Sequence, residues 1–291
     1  MRLCRFNEGK YGIVRHDTVY DVTMIIDRIV RRSAEGVRGD PVVACLAEIA
    51  ASISDPETYQ AYPVAEVRLL SPIARPSKLV AAPTNYRAHI AEMQADQSVS
   101  NPNLPKDIGK AGLFLKATSA LVGPSAGVSL RFPQRRNDHE VEFVVVIGRE
   151  GSDIPEARAL EHVAGYTLGL DMTLRGPEDR SFRKSIDTYA VLGPWLVTRD
   201  EIDDPDNVAF SLKVNGELRQ DANTSDLIYG IRKLIAYGSS FYTLLPGDVI
   251  YTGSPEGVSP VKPGDVMLAE CPAIGSMQVA VRLHGADDGS S

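Results

Sequence analysis

Cysteine is scarce in this 291-residue chain: Cys4, Cys45 and Cys271 stand far apart, and none belongs to a C-x-x-C pair. That usage excludes a disulfide framework and a zinc knuckle, and the three are expected as reduced packing residues. No apolar run approaches the roughly 20 residues of a membrane span, and the start "MRLCRFNEGKYG" has no apolar core of the kind a signal peptide carries. A soluble cytoplasmic protein with no membrane partner is the expectation. Basic runs are short, Arg28, Arg31 and Arg32 in one place and Arg131, Arg135 and Arg136 in another, and the formal net charge is −7. Nucleic acid is therefore excluded as the main partner. Familiar motifs are missing as well: there is no P-loop, no H-E-x-x-H and no dinucleotide glycine fingerprint after a strand. "GPSAG", Gly123 to Gly127, has the letters of a serine-hydrolase elbow, but "VSLRFP" follows where a helix is needed. Ser125 is read as a turn residue.

What is present is ordinary globular composition, 43% hydrophobic and 24% charged, enough chain for a sizeable core. Residues 1–70 read as a small α+β unit: short strands ("RLCRF", "YGIVR", "TVYDV"), then a helix after Asp40-Pro41, a cap followed by proline at the first turn. "SPIARPSK", Ser71 to Lys78, has the prolines of a linker, and residues 79–291 form a larger unit in which strands dominate. Helices are expected in "PEARALEHVAG" and in "SDLIYGIRKLIAYGSSF", where Ile231, Leu234 and Ile235 share a face. Asn215-Gly216 in "FSLKVNGELRQ" marks a hairpin, and Pro-Gly-Asp at 246–248 and 263–265 opens a strand each time. The fold class is α+β and β-rich. The polar, proline-containing "QADQSVSNPNLPKDIGKAG" after Met93 reads as a mobile loop.

"NDHEVEFVVVIGRE" sets Glu140 and Glu142 on one face of a strand whose next residues on that face, Val144 and Val146, require burial. Two carboxylates there repel by about 4 kcal/mol at 4 Å and an effective dielectric near 20. Either the strand end is solvated, or a hard cation (Mg²⁺, Mn²⁺ or Ca²⁺) cancels the charge with oxygen ligands. Asp171 ends another apolar strand in "GYTLGLDMTLR", as a third acid or a turn residue. Lys184 in "RKSIDTYAVLGPWLV" precedes a strand and alone would be solvated. His89 and Glu92 in "NYRAHIAEM" are i and i+3, which on a helix gives either a surface contact or a carboxylate orienting an imidazole for general-base work.

"NYRAHIAEM", "LFLKATSALVGP", "DHEVEFVVVIGRE", "GYTLGLDMT", "KSIDTYAVLGPWLVT", "VNGELRQDANTSDLI" and "LPGDVIYTGSPEGV" stand in the order in which they occur in the fumarylacetoacetate hydrolase family, which residues 78–283 resemble. The resemblance implies a mixed β-roll catalytic domain, usually dimeric. It implies Glu140, Glu142 and Asp171 as metal ligands, usually for Mg²⁺ or Mn²⁺, with His89 and Glu92 activating water on a lid helix and Lys184 as the active-site lysine. Arg87, Arg175 and Thr252 are implied to bind substrate. The activity implied is hydrolysis of a C–C bond in a 2,4-dioxo acid of the acylpyruvate type, giving pyruvate and a carboxylic acid. Oxaloacetate decarboxylation and isomerisation of an unsaturated 2-oxo diacid are the alternatives on the same site, and a non-catalytic metal-stabilised binding module is the third reading. One departure stands out: many members carry Ala-Arg-Asp-x-Gln after the aspartate, where this chain has "TLRGPED". Arg175 is kept, but Glu178 falls near the glutamine's place, and a glutamate beside the substrate would disfavour a second substrate carboxylate.

Overall fold

The computed structural model describes residues 1–33, 35–95 and 108–286. The expected loop after Met93 falls largely on 96–107, outside the described residues. The architecture is α+β and rich in strands, with one 12-stranded sheet, one of five strands and one of three. Both parallel and antiparallel pairs occur: Val249–Tyr251 runs parallel to Leu79–Ala81 and antiparallel to Val141–Ile147.

Val141–Ile147 lies inside the large sheet, between Val163–Asp171 and Val249–Tyr251, with every residue buried. Its near-continuous apolar run follows from burial on both faces. Val141, Phe143, Val145 and Ile147 enter one hydrophobic cluster, while Val144 and Val146 enter a second with Leu192 and Tyr251. The expected alternation is thus realised, and Glu142 stands on the Val144 side, where the strand begins.

The amino-terminal strands belong to the same sheet, since Arg2–Phe6 pairs with Ala190–Thr198. The Asp40 carboxylate caps Pro41–Ala44 by accepting from the Val42 and Val43 amides, and its second oxygen accepts from Ala74 and Arg75 at 3.1 and 2.9 Å. One buried acid thereby ties the proline-containing 71–78 stretch to the helical part of residues 1–70. The helix after Asp40 is broken at Cys45 and resumes over Leu46–Ser52.

Asn215 and Gly216, with φ of +51° and +84°, turn the hairpin between Ala209–Val214 and Glu217–Asn223. This is the left-handed pair a two-residue hairpin demands. Ile231–Ser239 is the expected helix, with Ile231, Leu234 and Ile235 buried. "PEARALEHVAG" instead makes 3₁₀ turns over Glu156–His162 with only Ala159 buried. A single buried side chain does not supply the apolar stripe that holds successive α turns. Ser125 lies in a short 3₁₀ turn, where its hydroxyl accepts from the Leu69 amide at 2.8 Å. All three cysteines are free and buried, and no helix among the described residues is long and apolar enough to cross a membrane.

Candidate active site

Antiparallel register builds the acidic centre. Val141 pairs with Leu170, so Glu140, in the break between Asn137–His139 and Val141–Ile147, meets Asp171 at the end of Val163–Asp171. The Asp171 amide donates to the Glu140 carbonyl at 2.8 Å. Each of Glu140, Glu142 and Asp171 offers a carboxylate oxygen, and these oxygens lie within 4.8 Å of one another. The three side chains' residues are only 5%, 1% and 2% exposed, so they are not a solvated strand end.

Cations and donors surround this cluster. Lys184 Nζ donates to Glu140 Oε2 and Asp171 Oδ2, both at 2.6 Å, from the short helix Arg180–Lys184. Lys116 Nζ pairs with Asp171 Oδ1. Arg175 donates from Nη2 to Glu140 Oε1 at 3.0 Å and from Nε to Asp138 Oδ2 at 2.7 Å. Glu142 accepts from the Gly253 amide and the Ser254 hydroxyl, each at 2.7 Å, and Ser254 also reaches Glu140 Oε2 at 2.9 Å. Asn85, fully buried, holds this turn by donating to the Thr252 carbonyl at 2.8 Å.

The two glutamates differ electrostatically. Burial opposes ionisation of Glu140, but the charges of Lys184 and Arg175 outweigh it and hold its carboxyl far below the usual range. Burial and the neighbouring Asp171 charge push Glu142 well above the usual range, although Lys184, Gly253 and Ser254 pull the other way. Burial likewise draws Lys116 down, against the attraction of Asp171. An all-oxygen donor set at this spacing, with one carboxylate under-compensated, fits a single hard divalent ion such as Mg²⁺ or Mn²⁺.

His89 and Glu92 come together on the helix Arg87–Ala95. His89 Nδ1 is 2.9 Å from Glu92 Oε2, and the other Glu92 oxygen accepts from the Gly257 amide at 3.0 Å. With Nδ1 engaged, Nε2 is the nitrogen left for proton transfer. His89 lines one cavity together with Glu140, Asp171, Arg175, Lys184 and Ser254. Two of the implied substrate residues do not line this cavity. Arg87 is exposed and not among the cavity's lining, and Thr252 is buried with its hydroxyl donating to the Phe143 carbonyl at 2.7 Å. Glu178 also differs from expectation. It forms a two-point ion pair with Arg135, at 2.9 and 2.8 Å, away from the cavity, whose wall carries Arg175, Arg180 and Arg183 instead. The placement of Glu178 beside the substrate is thus corrected: Arg135 pairs with it, and the cavity wall carries arginines instead.

Sequence reading passed over Lys116, Ser254 and Asp138. All three sit inside the family motifs ("LFLKATSALVGP", "LPGDVIYTGSPEGV" and "DHEVEFVVVIGRE"), which was the available signal.

A strand-rich mixed sheet with a buried Glu-x-Glu and aspartate cluster facing a His–Glu pair defines the class. Residues 78–282 match the family described as fumarylacetoacetate (FAA) hydrolase, C-terminal, and the chain belongs to that family. Among full-length relatives, a maleylpyruvate hydrolase of Aquipseudomonas alcaligenes is 52% identical over 288 residues, 97% of this chain and 99% of that one. The crystal structure of maleylpyruvate hydrolase from Sphingobium sp. SYK-6 in complex with manganese (II) ion and pyruvate superposes with a TM-score of 0.82 at 34% identity, covering 97% of this chain and 99% of the other. Oxaloacetate tautomerase FAHD2B, mitochondrial, of Bos taurus is 39% identical over 212 residues, 71% of this chain and 64% of its own length.

Proposed function

We propose that the chain is a divalent-metal-dependent hydrolase that cleaves the C–C bond of an acylpyruvate of the maleylpyruvate type, releasing pyruvate and a carboxylic acid. The observation that carries the reading is His89, fixed through Nδ1 by Glu92 and facing the Glu140, Asp171 and Lys184 cluster across one cavity. Such a pair has a use in hydrolysis, which needs a nucleophile made from water. The full-length likeness to maleylpyruvate hydrolases supports the same reaction.

Glu140, Glu142 and Asp171 would hold Mg²⁺ or Mn²⁺, which supplies charge stabilisation for the oxygens of a 2-oxo acid. His89 Nε2 takes a proton from water, while Glu92, accepting from Nδ1–H, holds the ring in one tautomer and favours the imidazolium that results. The hydroxide adds to the distal carbonyl carbon of the 2,4-dioxo acid. Collapse of that adduct breaks the bond between this carbon and the methylene; the electron pair leaves with the methylene as pyruvate enolate, and the acyl part leaves as a carboxylic acid. The proton held on His89 Nε2 then passes to the enolate carbon, which completes pyruvate and returns the imidazole to its neutral form. Lys184 Nζ, placed between Glu140 and Asp171, presents an ammonium beside the developing negative charge. Ser254 and the Gly253 amide keep Glu142 in place. On the family resemblance, the working form is proposed to be a homodimer.

The test follows pyruvate release from maleylpyruvate, acetylpyruvate and oxaloacetate with Mn²⁺ or Mg²⁺. Equal amounts of pyruvate and carboxylic acid from the acylpyruvates, abolished by a chelator and restored by metal, are expected. Inert acylpyruvates alongside rapid enol–keto exchange or decarboxylation of oxaloacetate would overturn the reading.

A further inference from the structure

Three arginines line the cavity, but they are not equivalent. Arg175 is committed to Asp138 and Glu140. Arg183 is committed to backbone, with Nε donating to the Glu178 carbonyl and Nη1 to the Leu174 carbonyl, both at 2.8 Å. Arg180 differs from both. Among the described residues its guanidinium has no ion pair and no hydrogen-bond acceptor; it lies over the Phe114 ring, 5.2 Å from the centroid. The nearby acids do not neutralise it, since Asp171 is held by Lys116 and Lys184 and Glu140 by Lys184 and Arg175.

Arg180 and Lys184 are i and i+4 on one short helix, so they share a face and stand about 6 Å apart along its axis. The same Phe114 ring lies under both cations, Lys184 Nζ being 5.6 Å from the centroid. One end of the cavity therefore holds the reacting cluster and the next helical turn holds a spare guanidinium. A partly desolvated arginine stays charged and has five donors to satisfy. Burial indeed works against its charge here, offset only in part by Asp171 and Glu140.

We propose that Arg180 binds the distal carboxylate of the substrate, so that the chain selects acylpyruvates with an acidic acyl end over those with a neutral one. This rests on the hydrolase reading above. With the cleaved carbonyl beside Lys184 and His89, a carboxylate joined to it through two intervening carbons of the acyl chain reaches the guanidinium one helical turn away. A planar guanidinium meets a carboxylate through two parallel N–H···O bonds. The Phe114 ring, 5.2 Å from the guanidinium carbon, gives the cation an aromatic face on one side.

The experiment compares Arg180→Gln and Arg180→Lys with the unaltered protein on maleylpyruvate and on acetylpyruvate, whose acyl end carries no charge. Arg180→Gln is expected to lower kcat/KM for maleylpyruvate by about 10²-fold, mainly through KM, and to change acetylpyruvate by less than about threefold, because a lost charge-assisted pair falls on one substrate only. Arg180→Lys, which keeps the charge but not the two-point geometry, should recover part of the preference. Equal losses on both substrates, or none on maleylpyruvate, would overturn the assignment. Calorimetric titration of the Mn²⁺-loaded protein with maleate supplies a readout independent of turnover: binding at least tenfold weaker in Arg180→Gln supports it, and equal binding refutes it. If the unaltered protein hydrolyses neither acylpyruvate, the hydrolase reading falls. If it hydrolyses both and Arg180→Gln keeps the same substrate ratio, only the role of Arg180 falls.

Discussion

Replacing Glu142 by glutamine should push the protein in opposite directions with and without metal. In the metal-free protein, ionising Glu142 places a second buried charge next to Asp171, and a unit like-charge pair at the 4.8 Å limit of their spacing repels by about 3.5 kcal/mol at an effective dielectric of 20. Lys184 lies beside the same cluster and offsets part of this, leaving about 1–3 kcal/mol to be relieved. The amide keeps the side chain's size, and its carbonyl oxygen can still accept from Gly253 or Ser254. In chelator at neutral pH, Glu142→Gln should therefore raise the melting temperature by about 2–6 °C. The sign with pH follows from the raised pKa. Above the unfolded value, near 4.3, the folded wild type binds more protons than the unfolded chain, so its stability falls as pH rises through the folded pKa. The variant lacks this loss, so the gap should open as pH rises from about 4.3 and vanish below it. With Mn²⁺ at 100 times its dissociation constant, the wild type should gain about 2.7 kcal/mol, and the variant far less, because one ligand charge is gone. Scanning calorimetry of both proteins, with chelator and with Mn²⁺ across this pH range, measures every quantity. A variant less stable than wild type in chelator, or one with an undiminished Mn²⁺ shift, would refute the reasoning.

His89→Ala should bind Mn²⁺ as the wild type does, by calorimetric titration, yet lose about 10²–10⁴-fold in kcat for acylpyruvate hydrolysis; activity within a few-fold of wild type would remove it from proton transfer. Gly253→Ala should destabilise the fold by about 1–3 kcal/mol in urea titration, because φ is +113° and the new Cβ would lie 2.6 Å from Asn85 Cβ. It should also weaken metal binding, as the Gly253 amide that anchors Glu142 shifts. Sedimentation at micromolar concentration should give the mass of a dimer; a fully active monomer would contradict the proposed assembly.

Much of this protein was legible along the chain because short-range rules decide it. A period of two put Glu142 on the face of Val144 and Val146, the demand for two left-handed residues put a hairpin at Asn215-Gly216, and a spacing of three on a helix brought His89 to Glu92. The order of seven motifs carried the family. What only the tertiary structure decided lies between residues far apart in sequence. Lys116 meets Asp171 across 55 residues and Ser254 meets Glu140 across 114, through strand register and loop docking that no local period encodes. The direction of a charged side chain was decided the same way. Glu178 and Arg180 are two residues apart, yet Arg135, 43 residues before the glutamate, draws the one out of the cavity, while the ring of Phe114 holds the other at its wall. Sequence chooses which charges a segment carries; the distant partner, by desolvation and pairing, chooses which of them face the substrate.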